Sequence, residues 1–164
     1  MKAIDDYTRY TGQGLLLDTN IALLLVVGNY DPGMLPTFKR TVQFAEEDYS
    51  TLLRFMSRFE TVVTTPTILA EVNSLASQIG EPAKSEVLRA FAKTVKQLSE
   101  EYVPSASIAD ETEFATFGLT DMNIKLVAAG RLLVLTDDYR FSGYLAAKKI
   151  AALNFNHIRT AYWE

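Results

Sequence analysis

Gly14-Leu15-Leu16-Leu17-Asp18-Thr19-Asn20 is a short apolar run stopped by an acid. A run this short, without alternation, suits a strand buried on both faces. The Asp-Thr-Asn that ends it supplies cap residues, so a helix is expected over 21–27. Gly28-Asn29-Tyr30-Asp31-Pro32-Gly33 is expected to break that helix. The pattern returns at Arg131-Leu132-Leu133-Val134-Leu135-Thr136, the clearest strand in the chain, which ends on Asp137-Asp138.

Around these two runs the chain alternates. Residues 41–59 predict an amphipathic helix with Val42, Phe44, Tyr49, Leu52, Leu53, Phe55 and Met56 inward. The β-branched run 61–65 predicts a strand. Pro66 then sits in the first turn of a helix that Gly80 ends. Further helices are expected over 82–101, over 110–117, from Thr120 or Asp121 to 129, and over 139–150, and a last strand over 153–157. Residues 1–13 read as a polar extension outside the core. Short apolar strands alternating with longer helices imply parallel pairing through crossovers. The expectation is one three-layer α/β/α domain over 1–164, with a mainly parallel sheet of four to five strands.

Composition narrows the chemistry. With 164 residues the chain suits one domain. Acids outnumber bases 20 to 16, and there is no cysteine and one histidine. Cysteine-ligated zinc, iron–sulfur clusters, a cysteine nucleophile and disulfides are thereby excluded. A Ser-His-Asp triad has only His157 to draw on, and that residue follows the last expected strand, where a surface role is the simpler reading. Any metal must sit mainly on oxygen, which favours Mg²⁺ or Mn²⁺. The longest apolar stretch, 15–27, is interrupted by Asp18, Thr19 and Asn20 and is shorter than the ~20 residues of a membrane helix. No secretory signal is visible, and a cytoplasmic protein is expected.

The acids are placed more tellingly than they are numbered. Asp18 ends the first strand, and Asp137 and Asp138 end the strand before 139–150. Glu71 lies one turn into the helix after the second strand, and Asp121 opens the helix before the third. Taken singly, each aspartate reads as a helix cap, worth ~1 kcal/mol, and Glu71 reads as a solvated helix residue. Together they flank one edge of a parallel sheet, where functional crevices lie. Gathered carboxylates repel, and a divalent cation relieves that repulsion.

Four pieces resemble the PIN domain family, the nuclease fold of bacterial toxins and RNA-processing enzymes. They are Leu16-Leu17-Asp18-Thr19-Asn20, Thr65-Pro66-Thr67-Ile68-Leu69-Ala70-Glu71-Val72, Gly118-Leu119-Thr120-Asp121 and Val134-Leu135-Thr136-Asp137-Asp138. They occur in the family's order and span most of residues 14–157. The resemblance implies a Mg²⁺- or Mn²⁺-dependent endoribonuclease using one or two ions. It implies Asp18, Glu71, Asp121 and Asp138 as the catalytic and metal-holding acids, with Asp137 assisting. Asn20 and Thr136 look like the polar neighbours that hold the site. Membership among the toxins would add an antitoxin partner and a homodimer.

Candidate phosphate contacts are Lys39, Arg40, Arg140, Lys148 and Lys149; Arg140, just after the acid pair, is the best placed. Two other readings stand beside the nuclease. A haloacid-dehalogenase-like phosphohydrolase also begins on a strand ending in Asp, but it wants a second Asp where this chain has Asn20, and Lys125 is a poor candidate for its lysine. A non-catalytic PIN-fold binding module would lack carboxylate-dependent metal binding.

Overall fold

A computed structural model of the protein describes residues 7–161. Five strands form one all-parallel sheet: β1 (Leu15–Leu17), β2 (Val62–Thr64), β3 (Ser99–Glu100), β4 (Leu133–Thr136) and β5 (Ala152–Asn154), in the order 3-2-1-4-5. Leu15 is in register with Val62 on one side and Leu133 on the other. Every residue of β1 and β4 is buried, which requires helices on both faces of the sheet. The expected three-layer α/β/α architecture is the observed one.

The helices are α1 (Thr19–Tyr30), α2 (Glu46–Met56), α3 (Pro66–Ala76), α4 (Ala83–Val95), α5 (Ser105–Ala109), α6 (Phe114–Ala128), α7 (Tyr139–Ala147) and α8 (Phe155–Ala161). Among the described residues no helix is long and apolar enough to cross a membrane. The chain leaves β1 for β2 and β3 on one side, then crosses to β4 and β5 on the other. The strand order therefore reverses between β1 and β4, the position at which such sheets open a crevice.

The elements differ from the sequence expectation in instructive ways. Gly28 does not end α1, which runs on to Tyr30 and is buried on all sides from Ile21 to Gly28. The glycine is there for closeness: a Cβ on it would lie 2.2 Å from Cδ2 of Tyr49. The helix expected over 41–59 starts only at Glu46, so Val42 is 58% exposed, and Leu53 lies on its outer face at 40%. The amino end of α2 is fixed instead by Asp48, whose side chain accepts from the Ala45 N–H at 2.7 Å. Fully buried Asp48 also pairs with Arg159 of α8, which donates from Nε at 2.8 Å, so α8 is clamped onto α2.

The helix expected over 82–101 stops at Val95, and Ser99–Glu100 becomes the edge strand β3. That strand is exposed and polar, so it carries no apolar run to betray it. The expected helices at 110–117 and after Thr120 are joined as α6, across a kink where Gly118 adopts φ 84°. The strand expected over 153–157 ends at Asn154, because its side chain accepts from the Asn156 N–H at 2.9 Å and turns the chain into α8. Tyr7 and Tyr10 pack against the core, so the segment read as an outlying extension contributes to it; the rest of that reading, at 1–6, lies outside the described residues.

Substituting Gly28→Ala should destabilise the protein by about 1–3 kcal/mol through overpacking. Urea unfolding checks this, and Tyr49→Ala in the same chain should relieve part of the loss. An unchanged midpoint for Gly28→Ala would contradict the close approach.

Candidate metal centre

The site grows out of the ends of β1 and β4. Asp18 follows β1 directly, and its backbone N–H donates to the Leu135 carbonyl at 2.9 Å, which fixes it beside the neighbouring strand. Its Oδ1 accepts from the Thr19 N–H at 2.7 Å, and its Oδ2 accepts from the Thr136 hydroxyl at 2.6 Å. The residue is 8% exposed. Burial pushes its carboxyl up to about 6; the bonds from Thr136 and Thr19 oppose that rise, and the charges of Asp137 and Asp138 add to it.

Thr136 is fully buried and serves two acids, because its oxygen also accepts from the Asp138 N–H at 3.1 Å. Asp138 caps α7, accepting from the Phe141 N–H at 2.9 Å. Asp137 is half-buried and receives the Asn20 amide at 3.2 Å on Oδ1 and 3.4 Å on Oδ2. Asn20 is thus hydrogen-bonded to Asp137 and Thr136 to Asp18.

Glu71 comes from α3 and is held at both oxygens. Thr19 donates to Oε2 at 2.9 Å, and Thr120 donates to Oε1 at 2.6 Å. These two threonines were missed in the sequence. The signal was present: one follows Asp18 and the other precedes Asp121. Asp121, after the kink of α6, has no hydrogen-bond donor among the described residues. Burial raises its carboxyl to about 7, and the charges of Asp18, Asp138 and Glu71 push in the same direction.

No ion pair joins any of these five acids to a lysine or arginine among the described residues. Nor do three His, Cys, Asp or Glu side chains among those residues stand close enough to form a preassembled metal-binding group. The acids share a field without forming a closed cage.

None of the basic candidates forms an ion pair with these acids. Arg140 is exposed, with its guanidinium 5.1 Å from the centre of the Phe117 ring. Arg40 donates to Gln78 at 2.8 Å, and Lys148 pairs with Glu113 at 2.8 Å. Lys149 sits at positive φ after α7. Lys125 is engaged by Glu111 and by Glu113. His157 is exposed on α8, its ring 5.8 Å from that of Tyr139.

Two clefts are notable. The larger, about 630 Å³, lies between the end of α1 and α4, away from the carboxylate edge. The smaller, about 480 Å³, lies between α3 and the kink of α6, with Glu71 and Asp121 in its lining. No family model, curated protein or solved structure matches the chain.

A pH dependence follows. The folded-state values of Asp18 and Asp121 lie above an ordinary aspartate's ~3.9, so between pH 4 and 7 the folded chain binds more protons than the unfolded one. Their stabilising contribution is present below pH 4 and is lost as pH rises through about 6 for Asp18 and about 7 for Asp121. For Asp18 the loss is on the order of 2–3 kcal/mol. Denaturant unfolding in EDTA, at pH 5 and pH 7.5, should show Asp121→Asn gaining more stability over wild type at pH 7.5 than at pH 5. An equal gain at both would contradict the electrostatic account.

Proposed function

We infer that the protein is a metal-dependent nuclease of the PIN type, acting on phosphodiesters of RNA. The observation that carries this reading is the set of uncompensated carboxylates at the switch point of a parallel sheet. They come from four separated segments, and none forms an ion pair with a lysine or arginine among the described residues. They are also the acids on which the sequence resemblance rests.

The donor set fits a hard divalent cation, since it offers carboxylate oxygens and no soft ligand. Asp18, Asp121 and Asp138 are the residues that would hold Mg²⁺ or Mn²⁺, with Glu71 and Asp137 beside them. When bound, such an ion supplies Lewis-acid polarisation of a phosphoryl oxygen and makes water a nucleophile at neutral pH.

The chain's own residues divide the remaining work. Thr136 fixes the rotamer of Asp18 from the neighbouring strand. Thr19 and Thr120 clamp Glu71 between the start of α1 and the second half of α6. Asn20 orients Asp137. Asp121, which has no hydrogen-bond donor among the described residues, is the carboxylate left to turn toward a cation or to take up a proton. The same reading brings an RNA substrate, an antitoxin that covers the acidic crevice and a second copy of the chain as partners. Two divalent ions would offset the formal net charge of −4, so the acidic balance is compatible with a polyanionic substrate.

Cleavage of a labelled RNA in Mn²⁺ tests the reading. Asp18→Asn keeps a good cap residue while removing the charge, so the fold should persist. Asp18→Asn and Asp121→Asn should each lose at least ~100-fold in rate, and Thr136→Val about 10- to 100-fold through loss of ligand orientation. Wild-type cleavage by Asp18→Asn would overturn the assignment.

A further inference from the structure

The cleft of about 630 Å³ between the end of α1 and α4 reverses the charge balance of the chain. Arg89, Lys93 and Lys96 line it against one acid, Glu86, although acids outnumber bases 20 to 16 overall. Their spacing of four and then three residues puts the bases on one face of α4 and its C-cap. Glu86 pairs with Arg89, whereas Lys93 and Lys96 form no ion pair among the described residues. Cations near the end of a helix answer its negative pole, but the dipole does not call for what stands opposite them. Tyr30, the last residue of α1, is 37% exposed in the same cleft and has no ring partner among the described residues. Its neighbour Asn29 is fixed at both ends of its amide. The Tyr49 hydroxyl donates to Oδ1 at 2.7 Å, and Nδ2 donates to the Thr94 hydroxyl oxygen at 2.8 Å. One N–H of that amide is left for a ligand.

We propose that this cleft binds a nucleoside phosphate, with the phosphate at Arg89, Lys93 and Lys96 and the base against Tyr30. Its volume falls within the roughly 300–1,000 Å³ of small-ligand sites. A guanidinium and two ammonium groups supply the charge-assisted donors that phosphate oxygens take. The open aromatic face suits a flat heterocycle, and the fixed amide of Asn29 offers a donor to its polar rim. A bare anion would leave Tyr30 unused, and a neutral heterocycle would leave the lysines unused. The site is separate from the carboxylate edge: its lining contains none of the five acids. The 12 residues of α1 lie between the two, since Thr19 at its start bonds Glu71 and Tyr30 at its end lines the cleft. That length is about 18 Å. The assignment therefore stands without the nuclease reading. A free mononucleotide and one nucleotide of an RNA strand present the same chemistry to the cleft.

Two-dimensional NMR of the full chain in EDTA, titrated with adenosine monophosphate and separately with adenosine, tests the site without requiring cleavage. Saturable shifts at Tyr30, Lys93 and Gln97 are expected with the monophosphate, and binding about fivefold weaker or more with adenosine. Lys93→Gln combined with Lys96→Gln should weaken the monophosphate by roughly fivefold or more, and Glu86→Gln, which releases Arg89, should tighten it about twofold. Tyr30→Ala should weaken it by about fivefold, the scale of a lost stacking contact, and leave inorganic phosphate unchanged. These positions are exposed, so the variants should fold. Absent shifts, shifts confined to the carboxylate edge, adenosine binding as tightly as its monophosphate, or unchanged affinity in the double lysine variant would each overturn the site. Single-stranded hexa-adenylate bound more tightly than the monophosphate identifies an RNA strand as the source of the nucleotide; equal or weaker binding identifies the free nucleotide. Protein that binds the monophosphate but cuts no RNA would remove the nuclease reading and leave this site.

Discussion

A buried hydrogen bond of 2.6 Å, from the Thr136 hydroxyl to Asp18, joins the ends of β1 and β4. It lies where the strand order reverses, so it belongs to the fold and to the site at once. Everything chemical in the molecule is arranged around it. Asp138 reaches the same threonine through its N–H, and Asp18 opens α1, whose first residue donates to Glu71. A parallel sheet makes this convergence natural, because every strand delivers its following residue to the same edge.

The convergence costs stability. Burial of Asp18 disfavours its charged form, and its two hydrogen bonds offset only part of that, since its carboxyl remains raised to about 6. Hydrogen bonds to a charged group contribute ~1.5–3 kcal/mol each, while desolvating an ion costs several. The surrounding core supplies the difference. Leu15, Leu16, Leu133 and Leu135 are fully buried, and each such side chain contributes roughly 1.5–3 kcal/mol as an upper bound. A chain selected for stability alone would not gather five acids that lack an ion pair with any lysine or arginine among the described residues, and such local cost is a mark of functional sites.

Much of this was legible in the sequence, for reasons tied to particular residues. β1 and β4 announced themselves because a strand buried on both faces needs an unbroken apolar run, and each ended on an acid. The acids of the edge could be placed from those strand ends. What escaped notice was set by tertiary contact. Gly28 looked like a helix breaker, but its role is to admit the Tyr49 ring. β3 is a polar edge pair that only its partner Thr64 reveals, and α2 begins where Asp48 caps it instead of where its apolar periodicity begins. Thr19 and Thr120 became visible as the clamp on Glu71 only when α1, α3 and α6 were brought together.

The central claim is that the carboxylate edge is a cation site, and calorimetric titration with Mn²⁺ at pH 7.5 addresses it without any substrate. Saturable binding of one or two ions to the wild-type chain is expected, with the binding heat lost in Asp18→Asn and in Asp121→Asn. Absence of saturable binding to wild type, or binding that survives both substitutions unchanged, would contradict the account.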